Sequence, residues 1–171
     1  MQSTGAILLK LLIFTIVIPG TVTVWLPVFI LFPGVRRHSI SWDALAFGGI
    51  ALIAAGVAGY CWCALDFAFA GKGTPSPVDP PKNLVVRGLY KYTRNPMYVS
   101  VLSILIGESL LFRSAALLEY AAIGAILCHL FVVFYEEPAL RRQMGEAYVR
   151  YCGQVPRWLL PMTRRRRTHA A

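Results

Sequence analysis

Charge is scarce in this chain. Asp, Glu, Lys and Arg make up 15% of its 171 residues, and only eight residues are acidic. Soluble domains carry roughly 25% charge. With 57% hydrophobic residues and a mean hydropathy of +0.58, an integral membrane protein is the expected class. Cysteine is also sparse. Cys61, Cys63, Cys128 and Cys152 show no spacing that suits zinc or a redox pair, so they read as small apolar filler and no metal site is expected. There is no internal repeat and no composition break that would mark a second domain. A cleavable leader is not expected either, because the N-terminal apolar run is too long and lacks a small-residue cleavage site. The net charge is +9, but the basic residues are clumped and belong to no soluble module, which argues against a nucleic-acid partner.

What the chain has in quantity is long apolar runs. Residues 6–32, 44–70, 97–112 and 115–135 read as four spans. Crossing about 30 Å of hydrocarbon takes about 20 residues at 1.5 Å each, so the third is short. Pro19-Gly20 and Pro27 interrupt the first span. It reads as one kinked helix, with a re-entrant pair as the alternative. The second span carries Gly48, Gly49, Ala54, Ala55, Gly56 and Gly59, small residues that let helix backbones approach closely. Asp66 near its end reads as an exposed polar terminus. Four prolines within residues 71–81 exclude helix there.

The third and fourth spans read as a hairpin. Glu136-Glu137-Pro138 is expected to end the fourth, because proline disfavours α conformation in the residue before it. A new helix is expected from about Pro138 to Tyr151, with Leu140, Met144, Ala147, Tyr148 and Tyr151 on one face. The expected fold is therefore all-α and membrane-integral, with about four transmembrane helices plus a cytoplasmic C-terminal amphipathic helix. It forms one domain: anchor spans over residues 1–77, a loop, hairpin and C-terminal helix over 78–161, and a basic tail over 162–171. Basic residues set the orientation. Lys72, Lys82, Arg87, Lys91 and Arg94, with eight arginines after residue 140, fall on one side; Arg36, Arg37 and Arg113 fall on the other. Both termini and the central loop are thus expected in the cytoplasm.

The stretch over residues 82–98, KNLVVRGLYKYTRNPMY, is polar, basic and aromatic between apolar runs. The hairpin places its end beside Glu136, so Tyr98 and Glu136 are expected neighbours. The adjacent acids Glu136 and Glu137 oppose the dipole at a helix C-terminus. Two explanations stand: they open the next helix, or they bind a cation or ribose hydroxyls. Tyr90 and Tyr98 offer flat faces to an adenine or a sulfonium, whereas Tyr92 reads as an interfacial belt residue. Arg94 suits a carboxylate or a lipid headgroup. Glu108 and His129 are ionisable residues inside spans and so are functional candidates by default. The blander readings are that Glu108 reaches the far interface and that His129 is a hydrogen-bonded packing residue.

Gly88-x-Tyr90, Arg94-Asn95-Pro96-x-Tyr98, Glu136-Glu137-x-x-Leu140, Gly145-x-x-Tyr148-x-x-Tyr151 and Val155-Pro156-Arg157 together resemble the isoprenylcysteine carboxyl methyltransferase and phospholipid methyltransferase superfamily. The resemblance covers roughly half the chain. It implies a multi-span enzyme using S-adenosyl-L-methionine. It also implies a cofactor pocket lined by Leu84, Val85, Gly88, Tyr90, Arg94, Asn95, Pro96, Tyr98, Glu136 and Glu137. Lys82 stands where the family has a His. Val132 stands where the prenylcysteine enzymes carry an Arg thought to hold the substrate carboxylate. That departure argues against a prenylcysteine acceptor and leaves lipid amines, small thiols or other hydrophobic acceptors in the bilayer. No residue is singled out as catalytic. The rival readings are an NADPH-dependent membrane reductase of the sterol-reductase type, which shares an Arg-His-Pro-x-Tyr region, and a non-catalytic membrane protein. The Glu136-Glu137 pair fits the methyltransferases better than the reductases.

Overall fold

The computed structural model describes residues 4–31, 40–71 and 84–158, and among these every regular element is helical. The expectations for Lys82, for the proline-rich loop and for the tail lie outside the described residues. Helix α1 (Thr4–Val17) runs on through a wide π turn, Thr21–Trp25, into α2 (Leu26–Leu31). The result is one apolar helix over Leu9–Ile30 and not a hairpin. Two prolines, Pro19 and Pro27, lie within it. After Pro19, the Thr23 hydroxyl donates to the Pro19 carbonyl at 2.8 Å, which gives that carbonyl a partner beside the wide turn. The π turn directly before Pro27 relieves the clash a proline ring makes in an α turn.

Helix α3 (Ala44–Asp66) starts at Asp43, whose side chain accepts from the Ala46 N–H at 3.2 Å. That bond satisfies one of the orphan donors of the first turn. It is the main cause holding the Asp43 carboxyl below its ordinary range. Helices α4 (Pro96–Leu111) and α5 (Ala115–Phe131) form the expected hairpin. Its turn carries Arg113 at φ 48°, and the Arg113 guanidinium pairs with Asp43, tying the hairpin turn to the start of α3. Among the described residues, three helices are long and apolar enough to cross a membrane: Leu9–Ile30, Ala44–Phe69 and Ala115–Met144. The helix over Pro96–Leu111 is apolar but shorter.

Two expectations need correction. The fourth span does not stop at Pro138. It passes through a second proline-adjacent π turn, Val132–Glu136, into α6 (Glu137–Met144). The Glu137 N–H donates to the Val132 carbonyl five residues back, which is the wide-turn bond. At 1.5 Å per residue the 30-residue helix is about 45 Å long, so one end projects past the hydrocarbon. Nor is there one helix from Pro138 to Tyr151. Gly145 at φ 54° breaks it, a conformation glycine adopts freely. A separate helix α7 (Glu146–Gln154) then buries Tyr148 and Tyr151.

Helices α3 and α4 pack most closely, and small residues on both permit it. A Cβ on Gly107 would stand 2.6 Å from the Gly49 carbonyl, and a Cβ on Gly49 2.6 Å from the Gly107 carbonyl. Gly56 likewise faces the Ser100 carbonyl at 2.6 Å. Gly48 faces open space, so only part of the small-residue set works as expected. Since lipid gives no hydrophobic drive for helix association, close van der Waals contact must hold this pair. Replacing Gly107 with Val is expected to cost about 1–3 kcal/mol by overpacking. Thermal unfolding of the detergent-purified protein checks this. An unchanged midpoint would show that the crossing tolerates the side chain.

Candidate active site

The polar stretch joins the bundle through Arg87. Its Nε donates to Asp66 Oδ1 at 2.7 Å. Asp66 is only 6% exposed, so it is not the exposed terminus expected from its position; the Arg87 partner is what makes its burial tolerable. Gly88 follows at φ 56°, and a Cβ there would collide with Asp66 Oδ2 and lie 2.8 Å from Trp62 Nε1. Any other residue there would be strained in its backbone and would push the Asp66 carboxylate aside. Gly88 opens a 3₁₀ turn, Gly88–Lys91, which carries Tyr90 inward.

Tyr90 is buried against Val85 and Cys63, and its ring meets Phe67 edge-on at 5.5 Å. Burial pushes its phenol well above the ordinary range. Its main-chain carbonyl accepts the Tyr151 hydroxyl at 2.7 Å, which draws α7 against the turn. Leu84 packs with Tyr148, Tyr151 and Val155. Tyr92 is 69% exposed, as an interfacial residue would be.

The next residues are fastened to the chain beyond α7. The Arg94 N–H donates to the Pro156 carbonyl at 2.9 Å. The Arg157 carbonyl accepts both Thr93 Oγ1 at 2.9 Å and Asn95 Nδ2 at 3.0 Å. Asn95 then precedes Pro96, which starts α4 where a missing N–H is harmless. One turn on, Tyr98 donates its hydroxyl to Glu136 Oε2 at 2.8 Å. The neighbours expected from the hairpin are therefore in direct contact.

The two adjacent acids have different surroundings. Glu137 is 5% exposed and meets two guanidinium groups. Arg157 Nε and Nη2 donate to its two oxygens at 2.6 and 2.9 Å, and Arg94 Nη1 donates at 2.9 Å. Arg94 also reaches the Cys152 sulfur at 2.9 Å. The carboxylate beside it holds the Arg157 guanidinium charged to still higher pH. Glu136 has no basic partner among the described residues; its one hydrogen bond is from Tyr98. A carboxylate that is half-buried and uncompensated can receive a cation or a pair of hydroxyl donors. Glu137 is already compensated, with three of its roughly four acceptor sites taken by guanidinium N–H groups.

Gly88, Tyr90, the 94–98 segment, Glu136 and Glu137 thus gather at one end of the bundle. Leu84, Val85 and Asn95 are there too, but their side chains serve packing or the 155–158 segment. Two further candidates fall elsewhere. Glu108 is half-buried on α4, about 15 Å along the axis from Tyr98. His129 is exposed, and its Nδ1 accepts from Trp158 Nε1 at 3.1 Å, in line with the hydrogen-bonded packing reading. Sequence reasoning misses the roles of Asp66 and Arg157. The only signal for Arg157 is its place in a Val-Pro-Arg motif.

The phospholipid methyltransferase family model matches residues 44–147. The chain belongs to this family. Neither the curated proteins nor the solved structures yield a match. Family membership and the three long apolar helices make the protein a membrane methyltransferase. The matched region takes in α3, the Gly88–Lys91 turn, α4, α5 and the acid pair. Helix α1 and the residues after 147, Tyr148, Tyr151 and Arg157 among them, lie outside it.

Proposed function

We propose that the protein transfers a methyl group from S-adenosyl-L-methionine to a hydrophobic or lipid-like acceptor at the cytoplasmic face of the membrane. The observation that carries this reading is the unequal environment of the two acids. Glu136 keeps an uncompensated carboxylate beside the Tyr98 hydroxyl, while Glu137 is neutralised. A donor bearing a cationic sulfonium, an amine and ribose hydroxyls suits that group. Glu136 and Tyr98 would hold it, with the backbone around Gly88 and residues 94–96 as the opposite wall. When bound, the cofactor supplies an already activated methyl group, so the chain mainly has to align acceptor and donor and exclude water. The burial of Tyr90, Val85 and Cys63 supplies dry walls for this. The excess of basic residues on the side of this site supports its cytoplasmic placement.

Calorimetric titration of the purified protein with S-adenosylhomocysteine and, separately, NADPH tests the reading. Micromolar binding of the homocysteine adduct is expected. Binding of NADPH alone would overturn the proposal in favour of a reductase, and binding of neither would favour a non-catalytic role.

A further inference from the structure

Outside the matched stretch 44–147, residues 155–158 touch both sides of the candidate site. On one side the carbonyls of Pro156 and Arg157 take the Arg94 N–H, the Thr93 hydroxyl and the Asn95 amide. These bonds fix the turn that starts α4, and so the origin of the helix bearing Tyr98. On the other side the Arg157 guanidinium grips both oxygens of Glu137. Glu137 follows Glu136 directly, on the turn that ends the wide π segment. The Tyr98–Glu136 hydrogen bond lies between these two anchored turns.

Neutralisation is not all that Arg157 adds. One guanidinium suffices for one carboxylate, and Arg94 already pairs with Glu137 at 2.9 Å. What Arg157 adds is a planar two-point fork, which fixes the orientation of the carboxylate as well as its charge.

We infer that Arg157 is a positioning residue for the methyl-donor site: it ties the start of α4 to the start of α6 and so sets the spacing of the Tyr98–Glu136 pair. It acts through Glu137 and the main chain and does not touch the donor. The inference rests on the reading of Tyr98 and Glu136 as the donor site.

The test is calorimetric titration of the full-length, detergent-purified protein with S-adenosylhomocysteine, paired with thermal unfolding. Arg157→Gln is expected to weaken binding about tenfold. Arg157→Lys, which keeps the charge but not the fork, is expected to weaken it about threefold. Gly107→Val serves as the control, since it lowers stability at the α3–α4 crossing, away from the site. Wild-type affinity in folded Arg157→Gln overturns the inference and leaves the donor site standing. If Arg157→Gln does not fold, wild-type affinity in Arg157→Lys does the same. An equal loss of affinity in Gly107→Val would also overturn it, because lost stability would then account for the effect. If the wild-type protein does not bind, the donor-site reading falls and the inference falls with it.

Discussion

Replacing Glu136 with Gln is expected to weaken S-adenosylhomocysteine binding roughly 10- to 100-fold while leaving the fold nearly intact. A hydrogen bond to a charged group contributes about 1.5–3 kcal/mol, which corresponds to that range. Glutamine keeps an oxygen to accept the Tyr98 hydroxyl, so the contact at 2.8 Å survives. No described basic group is left without its partner, because none pairs with Glu136. Melting temperature should therefore change little. Calorimetry and thermal unfolding on the same preparation decide the matter. Unaltered affinity in a folded Glu136→Gln protein would remove Glu136 from the donor site.

The adjacent substitution is expected to do the opposite. Glu137→Ala leaves Arg94 and Arg157 facing each other with no carboxylate between them. Arg94 is 11% exposed at its side chain and Arg157 33%, so the pair is largely removed from water. Breaking a buried pair by deleting one partner costs about 3–5 kcal/mol, and the partial exposure of Arg157 points to the lower end. About 3 kcal/mol would lower the melting temperature by roughly 6–12 °C in a chain of this size. Thermal unfolding in detergent measures it. A midpoint shift no larger than that of Glu136→Gln would show that the two acids are not differentiated in the way their contacts imply. Together the two variants are expected to form a dissociation: loss of binding in one, loss of stability in its neighbour.

Much of this arrangement is legible in the amino-acid sequence. Apolar runs mark the spans, because a lipid-facing helix must be apolar over its full length. The hairpin brings Tyr98 to Glu136, because a short turn after a 16-residue helix fixes which ends meet. Other features are not legible, for physical reasons. Pro138 reads as a helix end, because the proline rule is written for α turns. A π turn ahead of the proline removes the clash the rule assumes. Asp66 reads as exposed, because its partner Arg87 lies 21 residues further on, past a loop that gives no periodic signal. The division of labour between Glu136 and Glu137 is hidden for a similar reason. Arg157 reaches Glu137 from the far end of α7, and only the break at Gly145 turns that helix back toward it.

The wide turn at Val132–Glu136 has one more consequence. An α-helix advances about 100° per residue around its axis. A turn holding one residue more than the α count leaves everything after it rotated by about that amount relative to everything before it. The long fourth helix is therefore two rods joined out of phase. The first presents its faces to α4 along the hairpin. The second begins at Glu137, turned toward Arg94 and Arg157, while Glu136 at the end of the wide turn meets Tyr98. The number of residues between Phe131 and Pro138 acts as an angular setting for the site, whatever side chains fill it.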